Sequence, residues 1–318
     1  MNNIIICGAL AYDRIMDFPG KFSEHILAGQ THILNLSFTV NGVKESFGGT
    51  GGNIAYSLAM LGERPKIVAV AGKDFGKYRV WLKKNKIDIS GVKIVKDELT
   101  ASAHIITDKD DNQITAFYPG SLTPLTPLLK GGENALAIVA PDTVARMREY
   151  AKIFRQNHLP YIFDPGQQTA YFSARELALG IKGAAMLIGN DYEIRLILNK
   201  LASESSARDS DGGLARLRKM VEILVITKGG QGAEIYNQNK KIIVPAAKKK
   251  AIVDPTGAGD AFRAGFIEGL VMNLELEQCA WLAMVVSAYA VENQGTQAHR
   301  FSWQEVEKRY WENYGEKI

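Results

Sequence analysis

Short, unbroken apolar runs recur along this chain, and most end at a polar or glycine-bearing turn. They are Ile4-Ile5-Ile6-Cys7 before Gly8, Ile67-Val68-Ala69-Val70, Leu136 to Val139, Tyr161-Ile162-Phe163-Asp164, Leu187-Ile188, and Ile223 to Thr227 before Lys228-Gly229-Gly230. A strand that is apolar on both faces is buried on both faces, as in a parallel sheet covered by helices. Helical periodicity fills the intervals. Asn53 to Leu61 places Ile54, Leu58 and Leu61 on one face and closes at Gly62. Further helices are expected over Phe75–Asn85, Thr143–Asn157, from Asn190, Ala261–Leu270, Leu276–Glu292 and Ser302–Tyr310. Alternation of this kind predicts a three-layer α/β/α domain with ligands at the carboxyl ends of its strands.

Two segments break the rhythm. Thr31 to Phe47, including His32-Ile33-Leu34-Asn35-Leu36-Ser37-Phe38-Thr39-Val40, alternates loosely and reads as half-exposed strands. It lies where a simple βαβ unit needs only a short turn. Ser102 to Tyr118 carries a second strand pair, Ile105-Ile106-Thr107 and Ile114 to Tyr118, around the turn Asp108-Lys109-Asp110-Asp111-Asn112. The expectation is a single domain over 1–318 with a small β-strand lid inserted at about 14–48 and 98–120.

Composition narrows the class. The 318 residues are 46% hydrophobic and 23% charged, ordinary values for a soluble globular protein, and suffice for one large core. A net charge of +4, dispersed along the chain, gives no footprint for nucleic acid. The densest basic run, Lys248-Lys249-Lys250, reads either as a solvated loop end or as weak attraction for a polyphosphate. Cys7 and Cys279 sit in apolar contexts without metal spacing and read as buried thiols in a reducing compartment. Met1 to Ile6 has no basic region or cleavage site, and the apolar stretch from Trp281 to Val291 is too short to span a bilayer. A cytoplasmic protein without membrane contact is expected.

The chemistry concentrates at Asp254-Pro255-Thr256-Gly257-Ala258-Gly259-Asp260-Ala261-Phe262. Small residues let the chain turn sharply and bring successive amide N–H groups to a ligand, at a helix N-terminus that favours anions. Asp260 then places a carboxylate beside a site built for negative charge; the competing reading is an aspartate that merely caps the helix. Phosphoryl transfer needs a base for the attacking hydroxyl and donors for the transferred group. Asp260 offers the first, and the amides of Gly257, Ala258, Gly259 and Asp260 the second. A second cluster, Gly48-Gly49-Thr50-Gly51-Gly52-Asn53, lets backbone lie against a small polar ligand, with Asn53 supplying an amide or simply capping a helix. Neither a phosphate loop ending in Gly-Lys-Ser/Thr nor a complete Gly-x-Gly-x-x-Gly fingerprint occurs, which disfavours a nicotinamide dehydrogenase.

Together with Asn190-Asp191-Tyr192-Glu193, these two loops resemble the ribokinase-like (PfkB) family of sugar and nucleoside kinases. The resemblance implies ATP as co-substrate and Asp260 as catalytic base, and it sets Gly49 and Asn53 against the acceptor sugar. Asp13 falls at the family's diol-binding position, where one carboxylate can accept from two vicinal hydroxyls. Asn190 and Glu193 match an Asn-x-x-Glu motif and offer oxygens for ordering hydrated Mg²⁺, unless they form only a capping box. Thr227, Lys228, Gly229, Gly230 and Gly232 fall in the family's nucleotide loop. Arg263 neutralises phosphate or is an ordinary surface arginine. The resemblance also implies possible K⁺ activation through backbone near Asp254 and Thr256 and the loop Asn293 to Gln297. For the acceptor, Thr50 replaces the lysine usual in ribokinases, which counts against free ribose. Gln167 and Gln168 after a core strand, with Phe117-Tyr118 in the lid, suit a purine. Phe18 to Glu24, Leu36-Ser37-Phe38, Phe117 to Gly120 and Asp164-Pro165-Gly166-Gln167-Gln168 are similar to the mycobacterial-type adenosine kinases, with Ser37 among the acceptor contacts and a homodimer formed through the lid. Ala9 and Ala103 depart from that pattern, where a hydroxyl and an aromatic are expected. A sugar kinase, a broad nucleoside kinase and a non-catalytic nucleoside-binding regulator are the alternatives.

Overall fold

The computed structural model describes residues 3–26, 35–110, 112–127, 135–203 and 210–318. Its strands are β1 (Asn3–Cys7), β2 (Ala11–Asp17), β3 (Val43–Gly48), β4 (Lys66–Ala71), β5 (Asp88–Ile94), β6 (Ala101–Thr107) and β7 (Gln113–Tyr118). They continue with β8 (Ala135–Val139), β9 (Tyr161–Phe163), β10 (Met186–Asn190), β11 (Ile223–Thr227), β12 (Ala233–Asn237) and β13 (Lys240–Val244). The helices are α1 (Thr50–Leu61), α2 (Gly76–Lys84), α3 (Val144–Gln156), α4 (Ala174–Ile181), α5 (Asp191–Ser203), α6 (Ser210–Arg218), α7 (Ala258–Val271), α8 (Leu276–Val291) and α9 (Trp303–Tyr314).

The apolar runs of β1, β4 and β8 to β11 assemble into one sheet of order β13-β12-β11-β10-β9-β8-β1-β4-β5. The pairing is parallel from β5 to β11, and an antiparallel hairpin, β12–β13, closes one edge. Each face carries its own core. Ile54 and Leu58 of α1, Phe262 and Phe266 of α7, and Leu282 and Val286 of α8 cover one. Met147 and Phe154 of α3, Leu177 of α4, and Ile194 and Ile197 of α5 cover the other. From β1 the chain builds outward to β4 and β5, then returns to build β8 to β11 on the opposite side. Connections that part in opposite directions leave a crevice at the carboxyl ends of β1 and β8, the place where open α/β sheets bind ligands.

A separate four-stranded sheet, β3-β2-β6-β7, forms the lid. Its second hairpin is the expected one: Asp108 accepts from the N–H groups of Phe22, Asp110 and Asn112, which holds the turn between β6 and β7. The first segment differs from expectation. Within it β3 begins only at Val43, and residues 35–42 form no strand, their one backbone bond to the sheet being Asn41 N–H to Asp17 O of β2 at 2.9 Å; residues 31–34 of the expected segment lie outside the described set. Aromatic packing replaces strand pairing there, since Phe38 sits 4.8 Å from Phe18 and 5.2 Å from Phe22, ring centre to ring centre. The lid also starts earlier than expected, with β2, so Asp13 stands on a lid strand and not in a loop. Among helices, α1 starts at Thr50 and α7 at Ala258, each about one turn before the first strongly apolar residue. Cys7 and Cys279 are buried free thiols, and among the described residues no helix is long and apolar enough to cross a membrane.

Candidate active site

The crevice is a cleft of about 440 Å³, within the range of small-molecule sites. Its floor is the first turn of α7. Gly257 caps that helix in the left-handed conformation, φ 77°, which glycine reaches without steric cost. Asp260 is therefore not the cap. It stands in the first turn, and its Oδ2 accepts a 2.8 Å hydrogen bond from Nδ2 of Asn53. Asn53, in turn, is no cap of α1: the helix starts three residues earlier, so the amide projects from its first turn onto Asp260. The Ala258 amide already donates to Pro255 O at 3.2 Å, which leaves the N–H groups of Gly257, Gly259 and Asp260, three residues lining the cleft, as the donors at this helix end. Burial pushes the Asp260 carboxyl up to about 6; Arg263 and Asn53 pull it down, and the charges of Asp164 and Asp13 push it further up.

Opposite this floor stands the lid. Register sets Asp13 beside Ser46 on β3 and Ala103 on β6, and Ala103 beside Phe117 on β7. Asp13, Ala103 and Phe117 thus form one row on one face, and Asp13 and Phe117 both line the cleft. Two strand spacings separate carboxylate from ring, roughly 10 Å, with only a methyl group between them. Gly48 makes room for the carboxylate, because a Cβ there would fall 2.2 Å from Asp13 Oδ2. Burial, with the Asp254 charge adding, raises the Asp13 carboxyl to about 6.

Arg263 is not a surface arginine. It is 7% exposed and grips Asp164, which is 1% exposed, with both donors of one guanidinium edge: Nε to Oδ2, and Nη2 to Oδ1 at 2.8 Å. Nη1 donates to the Gly259 carbonyl at 2.9 Å, and Nη2 lies 4.0 Å from Glu193 Oε2. The pair ties the end of β9 to the first turn of α7. Asn190 and Glu193 make the capping box that their spacing allowed, each backbone N–H donating to the other's side-chain oxygen at 2.8 Å. Burial raises the Glu193 carboxyl, helped by the Asp164 charge and opposed by Arg263 and the Asn190 N–H.

Of the residues expected at the site, Asp13, Gly49, Asn53, Phe117, Gln167, Asn190, Glu193, Thr227, Gly229, Gly257, Gly259 and Asp260 line the cleft. Gln168 does not: residues 166–170 form a 3₁₀ turn, which sends consecutive side chains about 120° apart. Lys228 turns away to pair with Glu234 on β12. Gly230 is exposed and Ser37 is exposed beyond the rim, while Gly232 packs its backbone against Val244 of β13. Thr50 does line the cleft, but its hydroxyl donates to Pro141 O at 2.8 Å. Asp254 bridges the two loops named for a monovalent cation, accepting from Thr256 N–H and Gly295 N–H at 2.9 Å each. Asp164 and Thr296 were not singled out as site residues. The one signal for Asp164 was its place at the end of an apolar strand run, where a carboxylate is not needed for the fold.

The comparisons agree with this geometry. A family model described as pfkB family carbohydrate kinase matches residues 11–302. The nucleoside kinase of Methanocaldococcus jannaschii is 32% identical over 313 residues, covering 97% of each chain. The structure of the nucleoside kinase of Burkholderia thailandensis in complex with ADP-inosine superposes with a TM-score of 0.82 at 34% identity, over 99% of this chain and 97% of that one. That of the Methanocaldococcus jannaschii nucleoside kinase, an archaeal member of the ribokinase family, gives 0.85 at 29% identity over 98% and 99%. With the family matched from lid to C-terminal helix and the architecture shared over nearly the full length, this ribokinase-like chain belongs to the pfkB family of carbohydrate kinases.

Proposed function

We propose that the protein is an ATP-dependent nucleoside kinase that phosphorylates the 5′-hydroxyl of adenosine, giving AMP and ADP, and that accepts other purine nucleosides as well. The observation that carries this reading is the lid row: a carboxylate and an aromatic ring two strands apart, with Ala103 leaving the space between them open, opposite the base Asp260. A ribose diol on Asp13 and a base stacked on Phe117 would use both ends and direct the 5′-carbon toward Asp260. Gln167 at the rim supplies a carboxamide, whose donor and acceptor exchange places on rotation. It can therefore meet either the amino group of adenine or the oxo group of hypoxanthine. That tolerance accords with the Burkholderia relative, which was solved with an inosine ligand. The Thr50 hydroxyl, spent on Pro141 O, offers no cation or free donor to a small sugar, which favours a nucleoside over free ribose.

In the proposed reaction the acceptor hydroxyl gives its proton to Asp260 while the Gly259 and Asp260 amides receive the charge of the transferred group. Asn53 holds the base in line. Arg263, neutralised by Asp164, acts as a brace and is not the free cation that a phosphate would meet. Among the described residues no cluster of three or more metal-binding side chains occurs. A magnesium ion carried by nucleotide phosphates needs only one or two carboxylates and keeps much of its water, and the oxygen of Glu193 outside the capping box fits that demand. The ion supplies charge neutralisation on the phosphates when bound.

Two expectations test the acceptor. Asp13→Ala removes a charge-assisted contact to the diol and should raise the adenosine KM by about tenfold to a hundredfold, a loss of roughly 1.5–3 kcal/mol. Equal binding of adenosine and 2′,3′-dideoxyadenosine to the unmutated protein would show that Asp13 reads something else. Phe117, 54% exposed, should cover the base. Phe117→Ala is expected to lower kcat/KM for adenosine by about 1–3 kcal/mol while leaving the poor activity on ribose unchanged. Efficient phosphorylation of ribose or fructose, with no loss for adenosine in the variant, would make this a sugar kinase.

A further inference from the structure

A chain of buried and part-buried hydrogen bonds leads away from the base and ends on a tryptophan with no other place in the site. Asp260 Oδ2 receives the Asn53 Nδ2 donor at 2.8 Å. Asn53 Oδ1 receives Gln297 Nε2 at 3.1 Å, and Gln297 Oε1 receives the indole Nε1–H of Trp81 at 2.9 Å. Gln297 Nε2 spends its second hydrogen on the Tyr78 hydroxyl at 2.6 Å, which itself donates to Gly48 O at 2.8 Å. Gly52 leaves room for this junction, because a Cβ there would lie 1.9 Å from the Tyr78 oxygen and 3.0 Å from Gln297 Nε2.

The two ends of the chain have fixed polarity. An indole N–H only donates, and a carboxylate only accepts. Between them lie two carboxamides, each of which fits its space equally well in either of two orientations. With Trp81 donating, Gln297 must turn its oxygen toward the indole and its NH₂ toward Asn53, and Asn53 must then turn its NH₂ toward Asp260. With both amides reversed, the Gln297 NH₂ would meet the indole N–H, donor against donor, and the Asn53 oxygen would face the carboxylate; with only Gln297 reversed, its oxygen would meet that of Asn53. Unmade and repulsive contacts are costly in a buried network, so only one arrangement survives.

Resting on the reading of Asp260 as base, we propose that Trp81, acting through Gln297, is a positioning residue that orients the Asn53 carboxamide so that it presents a donor to Asp260. The relay joins α2, the loop after α8, α1 and α7. Through Tyr78 it also reaches Gly48 at the end of lid strand β3, the glycine that accommodates Asp13. Sequence separation hides it, since Asn53 and Gln297 are 244 positions apart.

The test compares the unmutated protein with Trp81→Phe, Gln297→Met and the double variant. Phenylalanine keeps an aromatic ring in the stack on Phe47 and Tyr56 but lacks the N–H. Two quantities are read: the acid limb of kcat/KM for adenosine, and the titration of the Asp260 carboxyl by carbon NMR, assigned by its loss in Asp260→Asn. The charged groups facing Asp260 are Arg263 on its own helix, Asp164 after β9 and Asp13 on β2; Tyr78 on α2 also borders it, and all remain in these variants. Freed to rotate, the amides should let both midpoints rise by about 0.5–1 pH unit in Trp81→Phe. The same substitution should have almost no further effect in the Gln297→Met background. An unchanged carboxyl titration in Trp81→Phe, or an equal shift with Gln297 already removed, overturns the relay. A carboxyl that shifts while the kinetic limb stays in place upholds the relay and overturns Asp260 as the base.

Discussion

Replacing Asp260 with asparagine is expected to lower kcat by about 10²-fold or more while leaving the adenosine KM within a few-fold. The amide keeps the size of the carboxylate but cannot take the proton of the attacking hydroxyl. Its own NH₂ would also face the donor of Asn53, which now contacts Oδ2 at 2.8 Å. The pH dependence has a definite sign. Burial raises the Asp260 carboxyl to about 6, and only the ionised form is a base, so kcat/KM should be level near neutrality and fall as pH drops through about 6. A carboxylate tuned upward is a better proton acceptor at working pH than one near its ordinary value. Asp13 titrates in the same region, so the limb should be read beside the Asp13→Ala variant, which keeps it if Asp260 is its source. Steady-state kinetics that left Asp260→Asn with most of its turnover would remove the base from this mechanism.

The largest loss of stability is expected at Arg263. Arg263→Ala leaves Asp164, 1% exposed, with no guanidinium on either oxygen, and breaking a buried pair by removing one partner costs about 3–5 kcal/mol. The substitution also frees the Gly259 carbonyl in the first turn of α7, where Arg263 Nη1 donates at 2.9 Å. Equilibrium denaturation should show the midpoint falling sharply with little change in slope. Arg263→Ala combined with Asp164→Ala should recover part of the loss, because no charge is then left unpaired. If Arg263→Ala unfolds at the same denaturant concentration as the unmutated protein, the pair does not brace the site.

The difference between these two residues marks where the sequence could be read and where it could not. Asp260 was legible because its chemistry is local: glycines, a helix start and a carboxylate lie within a few positions, and spacing alone brings them together. Arg263 is only three positions further, yet its partner is 99 positions away at the end of β9, and no periodicity connects them. The same holds for Asn53, whose amide the sequence offered as an acceptor contact or a helix cap: α1 begins at Thr50, and the side chain reaches Asp260 across 207 positions. The starts of α1 and α7 were placed late for one reason. The first turn of a helix needs no apolar residue, so a pattern drawn from buried positions begins about a turn inside it.

Where neighbours in sequence are neighbours in space, the chain alone determined the outcome: a mostly parallel sheet from its doubly apolar strands, helices on both faces from their periodicity, a lid hairpin around Asp108, and a glycine turn opening a helix just ahead of Asp260. Tertiary structure decided what required distant segments to meet. It set Asp13, Ala103 and Phe117 in one row through strand register, turned Lys228 onto Glu234 and Gln168 away from the cleft, and locked Arg263 onto Asp164. It also strung Trp81, Gln297 and Asn53 into a line ending at Asp260. Burial and backbone propensity are written in short windows of sequence, whereas the partner of a buried polar group is set by topology and register.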